Sequence, residues 1–187
     1  MTESTFRTAK ALLPDHGTLK TWHRLLFKDV VPTGYSYYAG NFRGTDPRYP
    51  CLNGIAHVGG AFGVLPQAVE ETMRTWASDL RVQETQLTRY IRIEKDTARQ
   101  TMAKISFVAG SVGTFIRIHP FRNGNGRISR ILANHLCYRH DLPMPFADPS
   151  SRPPLKDYAE SGAAAMRGDL RPTFLYLLAA VQARANA

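Results

Sequence analysis

The feature that most constrains the fold is a long helical pattern that stops at a proline. Between residues 98 and 118, apolar side chains recur at the three- and four-residue spacing of one helix face. These side chains are Met102, Ile105, Val108, Ala109, Val112, Phe115 and Ile116. Because Pro120 disfavours a helical backbone at the residue before it, we expect this helix to end near Ile118.

Similar patterns predict helix in much of the remaining chain, at 17–29, from Pro66 to about 80, after residue 126, at about 154–167 and at 171–184. In the first of these helices we expect the buried face to carry Leu19, Trp22, Leu25 and Leu26. Residues 55–65 consist of short apolar pieces broken at Gly59 and Gly60, which predicts a two-stranded hairpin. The expected fold class is therefore all-α with one small β-hairpin.

The net charge of the chain indicates which kinds of ligand it can bind. The 187 residues carry a net charge of +9, which suits a polyanionic ligand, although excess Lys and Arg can also simply solvate a surface. The basic residues are scattered without a run of five, and no helix-turn-helix or zinc-finger spacing is present. We therefore do not expect nucleic acid as the main ligand.

The remaining bulk features predict a cytoplasmic protein. The sequence contains no apolar run near 18 residues and no secretory signal at its start. Its two cysteines, Cys51 and Cys137, have no metal-type spacing and predict reduced thiols. Delivery into another cell as an effector stays open, because such signals are poorly readable from sequence.

The segment after the long helix, HPFRNGNGRISR at residues 119–130, has the composition of a phosphate-binding loop. Gly124 and Gly126 permit backbone conformations that turn successive amides inward, and a helix beginning near Asn125 adds its positive end. Arg127 and Arg130 are three residues apart, so both can reach an anion at the first helical turn. Gly-Asn-Gly alone also fits an ordinary interhelical turn, and the two arginines favour the phosphate interpretation.

His119 is the candidate catalytic residue at the other rim of this loop. A histidine with a pKa near 6.5 can accept a proton at neutral pH, and a base beside a polyphosphate suggests deprotonation of an attacking hydroxyl. The other histidines show no partner at metal-ligand spacing, and His135 lies on an apolar helix face where we expect a core role.

Residues 119–130 resemble the signature of the Fic family, His-Pro-Phe-x-(Asp/Glu)-Gly-Asn-Gly-Arg-x-x-Arg. Eight fixed residues match: His119, Pro120, Phe121, Gly124, Asn125, Gly126, Arg127 and Arg130. The segments YYAGNFR (37–43), HVGGAFGVLP (57–66) and YAESGAAAMRGDL (158–170) are similar to further parts of that family. The resemblance implies a single Fic domain over residues 1–187, with a core of about 17–182, a flap of about 55–65 and the motif loop at 119–130.

What the resemblance implies is a protein adenylyltransferase, which attaches AMP from ATP, with Mg²⁺, to a Ser, Thr or Tyr hydroxyl of a target protein. Carried over by position, His119 is the general base. The phosphate-binding residues are Gly124, Asn125, Gly126, Arg127 and Arg130. The target segment would dock on the flap, where Phe62 is a candidate contact.

The sequence departs from the family pattern at Asn123, where an Asp or Glu usually holds the metal. An amide oxygen can bind Mg²⁺, but without a formal charge. Three outcomes stay open: nucleotidyl transfer with weakened metal use, transfer of another phosphate-containing group, or a binding or scaffolding module without chemistry.

Family members often carry an inhibitory (Ser/Thr)-x-x-x-Glu-(Gly/Asn) helix whose glutamate pairs with the arginine at the position of Arg130. We find no such motif in the first 30 residues or after residue 170. The protein is then either unrestrained or inhibited by a separate antitoxin-like partner, while a degenerate inhibitory helix within residues 5–17 stays open.

Overall fold

The computed structural model describes residues 12–153 and 156–186, and these form six α-helices and one antiparallel hairpin. The elements are α1 (His16–Phe27), β1 (His57–Val58), β2 (Ala61–Phe62), α2 (Val69–Ile93), α3 (Thr97–Ile118), α4 (Asn125–Arg139), α5 (Lys156–Met166) and α6 (Arg171–Ala185). The predicted fold class, all-α with one small hairpin, is confirmed.

The long helix predicted from the sequence is the centre of the molecule. α3 packs against α2, α4, α5 and α6. Asp96 caps its first turn, since its carboxylate accepts hydrogen bonds from the amides of Ala98 and Arg99. The expected apolar face is buried except at Met102, which is 41% exposed, and at Ile116, which is half-buried.

The buried face of α1 differs from the expected one. Leu19 is buried, but Leu25 is 57% exposed, and His23 and Phe27 lie inside instead. At about 100° of rotation per residue, Leu25 lies roughly 120° around the helix from Leu19, whereas His23 and Phe27 lie within about 80°. The expectation counted apolar residues rather than their angles and therefore missed a buried polar residue.

The second predicted helix is longer than its sequence pattern suggested. A short 3₁₀ turn at Pro66–Ala68 precedes α2, and α2 then continues to Ile93, well beyond residue 80. Residues 28–56 form a long connection from α1 to the hairpin, with two further 3₁₀ turns at Ser36–Tyr38 and Pro50–Leu52. None of the described helices combines the length and the apolarity that crossing a membrane requires.

The hairpin is short and tightly turned. His57 pairs with Phe62 and Val58 with Ala61, and the turn between them is Gly59-Gly60, both with positive φ. The amide of Gly63 donates to the carbonyl of Ala56, which extends the pairing toward the base of the hairpin.

Candidate functional site

The end of α3 places His119 in an unusual backbone conformation. His119 has φ 52° and ψ 58°, the left-handed region that non-glycine residues seldom adopt. Its amide still donates to the carbonyl of Phe115, so it closes the last helical turn, and Pro120 prevents the helix from continuing. Left-handed backbone strain of this kind persists where surrounding contacts enforce it, and it is common at functional sites.

The imidazole of His119 is in the form that a general base needs. Its Nδ1 lies 3.3 Å from the carbonyl oxygen of Ile116, which can only accept, so Nδ1 carries the proton and Nε2 is the basic nitrogen. Burial lowers the pKa of His119 below its ordinary value, the hydrogen bond to Ile116 raises it, and the charge of Arg43 lowers it again. The side chain is therefore neutral at neutral pH.

Arg43 is a buried residue that connects the end of α3 to the base of the hairpin. It is 1% exposed, and its guanidinium donates to the carbonyls of Ile118, His119, Gly54 and Val64 at 2.8–3.1 Å. These acceptors belong to the end of α3 and to both sides of the hairpin base. Burial lowers the pKa of Arg43 to about 10, so the guanidinium remains charged and the carbonyl dipoles at the end of α3 stabilise it.

His23 supports the motif loop from the side of α1. Its ring stacks on Phe121 at a centroid distance of 4.0 Å. The amide of Gly40 donates to Nδ1 at 2.9 Å, and Nε2 lies 3.2 Å from the carbonyl oxygen of Asn123. Both ring nitrogens are thus used, with the proton on Nε2, and burial lowers the pKa of His23 to about 4. Sequence analysis gave His23 no role.

The two glycines of the loop differ in what they require. Gly124 has φ 79°, and a Cβ atom there would lie 2.5 Å from the ring of Phe27. Gly126 lies within the first turn of α4, where a Cβ would meet only ordinary contacts, the nearest at 3.5 Å from Arg130. Gly124 is therefore needed by the fold, whereas Gly126 leaves space at the start of a helix.

The backbone at the start of α4 offers free donors. The first backbone hydrogen bonds of the turn run from the amides of Arg127 and Ile128 to the carbonyl of Gly124. The amides of Asn125 and Gly126 precede this ladder and sit at the positive end of the helix. This is the geometry that binds phosphate groups at helix N-termini.

Asn125 is fixed within the loop. Its side-chain oxygen accepts from the amide of Phe121 at 2.9 Å, and its side-chain nitrogen donates to the carbonyl of Phe121 at 2.7 Å. Its side chain is therefore held by Phe121, and its backbone amide is placed to meet a phosphate group. Asn125 thus closes the loop that was predicted to bind phosphates, and Phe121 is fully buried beside it.

Asn123, the candidate metal ligand, is exposed, and its side-chain oxygen accepts a hydrogen bond of 2.7 Å from the amide of Gly124. Among the described residues, no cluster of three or more His, Cys, Asp or Glu side chains could hold a metal ion. The oxygen that a metal would use is therefore engaged by the loop itself.

Arg127 and Arg130 contact different helices. Arg127 is exposed and its guanidinium lies 5.2 Å above the ring of Phe27 in α1. Arg130 is 4% exposed and donates to the hydroxyl of Tyr158 at 2.7 Å and to the carbonyls of Pro149 and Ser150. From the start of α4, Arg127 therefore extends toward α1 and Arg130 toward α5.

A cavity of about 280 Å³ joins these groups. His119, Gly126 and Arg130 line it from the motif loop, Val58 from the hairpin and Tyr158 from α5. The structure therefore brings the candidate base, the start of α4 and the buried arginine to one cavity. Tyr158, which sequence analysis did not assign to the site, contributes a ring and a hydroxyl to its wall.

The hairpin lies against the same cavity. A Cβ at Gly59 would come within 2.8 Å of Ala163 in α5, and the carbonyl of Gly59 accepts from Arg167 at 3.4 Å. Phe62 on β2 is 68% exposed and contacts the ring of His57. Gly63, the residue after Phe62, lies against His119, since a Cβ there would come within 3.0 Å of the Cβ of His119. The end of β2 is therefore next to the candidate base.

A family model decides which group of proteins this chain falls in. The model of the Fic/DOC family matches residues 14–137, more than half of the sequence. The chain belongs to the Fic/DOC family. The resemblance drawn from the motif is thereby confirmed.

The fold of this Fic protein is also found in a solved structure. A Fic domain containing signaling protein from Bacteroides thetaiotaomicron VPI-5482 aligns with a TM-score of 0.58 and 17% sequence identity. The alignment covers 98% of this chain and 69% of that chain. At this identity the likeness concerns the fold. The search of curated proteins found no match.

Two supporting residues of this Fic domain were missed by sequence analysis for different reasons. Arg43 lies in the segment YYAGNFR, which was used for the resemblance, but its spacing gives no sign of a buried arginine. His23 could have been found, because it lies four residues after Leu19 on the same helix face.

Proposed function

We propose that this protein transfers AMP from ATP to a hydroxyl side chain of a target protein. The observation that carries the proposal is the neutral imidazole of His119, with its proton fixed on Nδ1 by Ile116, in the same cavity as the start of α4 and Arg130. A base and an anion site that line one cavity suit nucleophilic attack on phosphorus.

In the proposed reaction, Nε2 of His119 takes the proton of the target hydroxyl as its oxygen attacks the α-phosphorus of ATP. The new oxygen–phosphorus bond forms while the bond from the α-phosphorus to the bridging oxygen of the β-phosphate breaks. Pyrophosphate leaves, and the backbone amides of Asn125 and Gly126 together with Arg127 and Arg130 would hold the phosphate oxygens.

The target would be presented by the hairpin. Its exposed edge can pair with an extended target segment, and Phe62 would contact side chains of that segment. Such pairing positions one hydroxyl near His119 through backbone hydrogen bonds and leaves specificity to side chains at the tip.

A separate inhibitory protein would act through Arg130. Among the residues that the structure describes, this arginine pairs with no carboxylate, and its bonded partners are all neutral. A glutamate from an antitoxin-like partner could therefore pair with it at the cavity. The part of the possible internal inhibitory segment before residue 12 lies outside the described residues.

A second candidate function is transfer of another phosphate-containing group. The hydrogen bond between Asn123 and Gly124 favours it, because a donor with less charge to neutralise needs less help from a metal at this position. Loss of chemistry altogether is less compatible with the protonation state of His119, which a pure binding module does not need.

The test is a labelling reaction with ATP labelled at its α-phosphate, cell lysate and the protein beside its His119→Ala and Asn123→Glu variants. We expect a labelled protein band with the wild type, a stronger band with Asn123→Glu and none with His119→Ala. Equal labelling by His119→Ala would contradict the role of the base. Absence of label with both wild type and Asn123→Glu would reject AMP transfer in favour of another donor.

A further inference from the structure

The described residues that line the cavity carry positive charge and no carboxylate. Residues 119–130 contain no Asp or Glu, and none of the described residues that line the cavity is acidic. Arg130 and Arg152 line it, Arg127 stands at the start of α4, and Arg122 lies beside Gly54 at the hairpin base. A ligand that enters this cavity therefore meets Arg130 and Arg152, and none of the described lining residues offers a carboxylate.

Of the two arginines that line the cavity, Arg130 is the buried one, and an anionic ligand would stabilise its charge. It is 4% exposed, and three of its five N–H groups donate to Pro149, Ser150 and Tyr158, which are all uncharged acceptors. A buried cation without an ionic partner is costly to a fold, and two donors remain beside the cavity that it lines. These donors fit two oxygens of one phosphate group.

The position that would hold a divalent cation does not fit that role. Mg²⁺ in phosphate sites is usually held by one or two carboxylates together with the phosphates. Here the side-chain oxygen at that position is the amide oxygen of Asn123, which carries no formal charge and accepts from Gly124 at 2.7 Å. A metal there would gain one neutral ligand in place of a carboxylate, and it would lie near the arginines at positions 122 and 127.

We propose that the cavity binds the phosphates of its donor without a divalent cation, and that Arg127 and Arg130 supply the neutralising charge. The proposal deepens the proposed function, because it concerns the donor of the same reaction. The hydrogen bond of Asn123 then keeps Gly124 in place, while the arginines do at the phosphates what a metal would otherwise do.

The decisive measurement is titration calorimetry with inorganic pyrophosphate in the presence of EDTA and, separately, of Mg²⁺. For the wild type we expect the Kd in EDTA to be equal to or lower than the Kd in Mg²⁺. For Asn123→Glu we expect the opposite order, with Mg²⁺ tightening binding on the order of tenfold because a carboxylate now faces the phosphates. Binding by the wild type that requires Mg²⁺ would overturn the proposal.

Matched variants separate the cavity from general positive charge. Arg130→Lys keeps the charge but loses the forked geometry and should weaken binding on the order of tenfold. Gly126→Ala, which meets no clash in the structure, should weaken it while the circular dichroism spectrum stays unchanged. Arg89→Ala, on an exposed part of α2, should leave the Kd unchanged. Equal weakening by Arg89→Ala would mean non-specific attraction and would reject the site.

The two proposals can fail separately. Metal-independent binding of pyrophosphate without any protein labelling would reject AMP transfer and leave the metal-free site standing. Labelling that occurs only with Mg²⁺, together with Mg²⁺-dependent binding of pyrophosphate, would support AMP transfer and reject the metal-free site. Absence of pyrophosphate binding under both conditions would overturn the metal-free site.

Discussion

At the scale of single residues, the support of the site depends on side chains that the motif does not contain. Arg43 and His23 lie outside residues 119–130, yet their hydrogen bonds fix the end of α3 and the carbonyl of Asn123. The motif predicted the base and the phosphate-binding loop. It could not predict Arg43, because a buried arginine is defined by acceptors that come together only after folding. His23 was predictable only from the helix face that it shares with Leu19, not from the motif.

Arg43→Lys tests how much the hydrogen bonds of Arg43 contribute to the stability of the fold. Lysine keeps the charge but concentrates its donors on one atom, so several of the four carbonyls lose their partner, and we expect a loss of about 2–4 kcal/mol in the free energy of unfolding. Urea denaturation measures it. Arg48→Lys, in an exposed ion pair with Asp46, is the matched control and should show no measurable change. Equal stability of the two variants would mean that the contacts of Arg43 contribute nothing.

Gly124→Ala and Gly126→Ala separate folding from binding. Alanine at position 124 combines a positive φ with a clash against Phe27, which should cost about 2–4 kcal/mol of stability. Alanine at position 126 should change stability by no more than about 1 kcal/mol and affect only ligand binding. Thermal unfolding and pyrophosphate titration of both variants measure the contrast, and a reversed pattern would contradict it.

At the scale of elements, the hairpin depends on contacts outside itself. With only two residues in each strand, it would be unstable alone. Arg43 holds its base, and Ala163 and Arg167 contact its turn. The sequence predicted the hairpin from Gly59-Gly60, but not these contacts. Those with Ala163 and Arg167 join segments more than a hundred residues apart, and those of Arg43 depend on a buried guanidinium that no sequence pattern marks.

Phe62→Ser tests whether the hairpin receives the target. The side chain is exposed, so the fold should be unaffected, but labelling of the target protein should fall on the order of tenfold because an apolar contact is lost. The Kd for pyrophosphate should stay unchanged. Val82→Ser, at an exposed apolar position on α2, serves as the control. Labelling that is unchanged by Phe62→Ser would place the target contact elsewhere.

At the scale of the whole molecule, helix periodicity predicted most of the architecture. It failed in two places. Leu25 was assigned to the buried face of α1 because it is apolar, although its angle around the helix places it outside that face. The helix α2 continues past residue 80 because tertiary packing extends a helix beyond its clear apolar pattern. The family resemblance added the arrangement of the elements, which periodicity alone does not fix.

The buried histidines give the whole fold a dependence on pH. His23 has a pKa of about 4 in the folded state against 6.5 when unfolded, so the unfolded state binds more protons between these values. The contribution of His23 to the free energy of unfolding is therefore fully present above about pH 6.5. It is lost as the pH drops toward 4, which lowers the free energy of unfolding by about 3 kcal/mol. His119, His135 and His140 have pKa values lowered by burial and act in the same direction.

Urea denaturation between pH 8 and pH 4 measures this dependence. His23→Gln keeps one donor and one acceptor but cannot titrate, so its stability should be lower at pH 8 and fall less steeply on acidification. His57→Gln, at an exposed position, should retain the slope of the wild type. An unchanged slope in His23→Gln would mean that another group causes the loss.

The way in which the hairpin is fixed makes its tip an interchangeable module. Arg43 holds the base through backbone carbonyls alone, and the turn is seated through the backbone of Gly59. Side chains at positions 57, 58, 61 and 62 take no part in either attachment. Under the proposed function, positions 57, 61 and 62 could therefore be exchanged to change which target segments the hairpin accepts, while the glycine turn and Val58, which lines the cavity of His119, stay as they are.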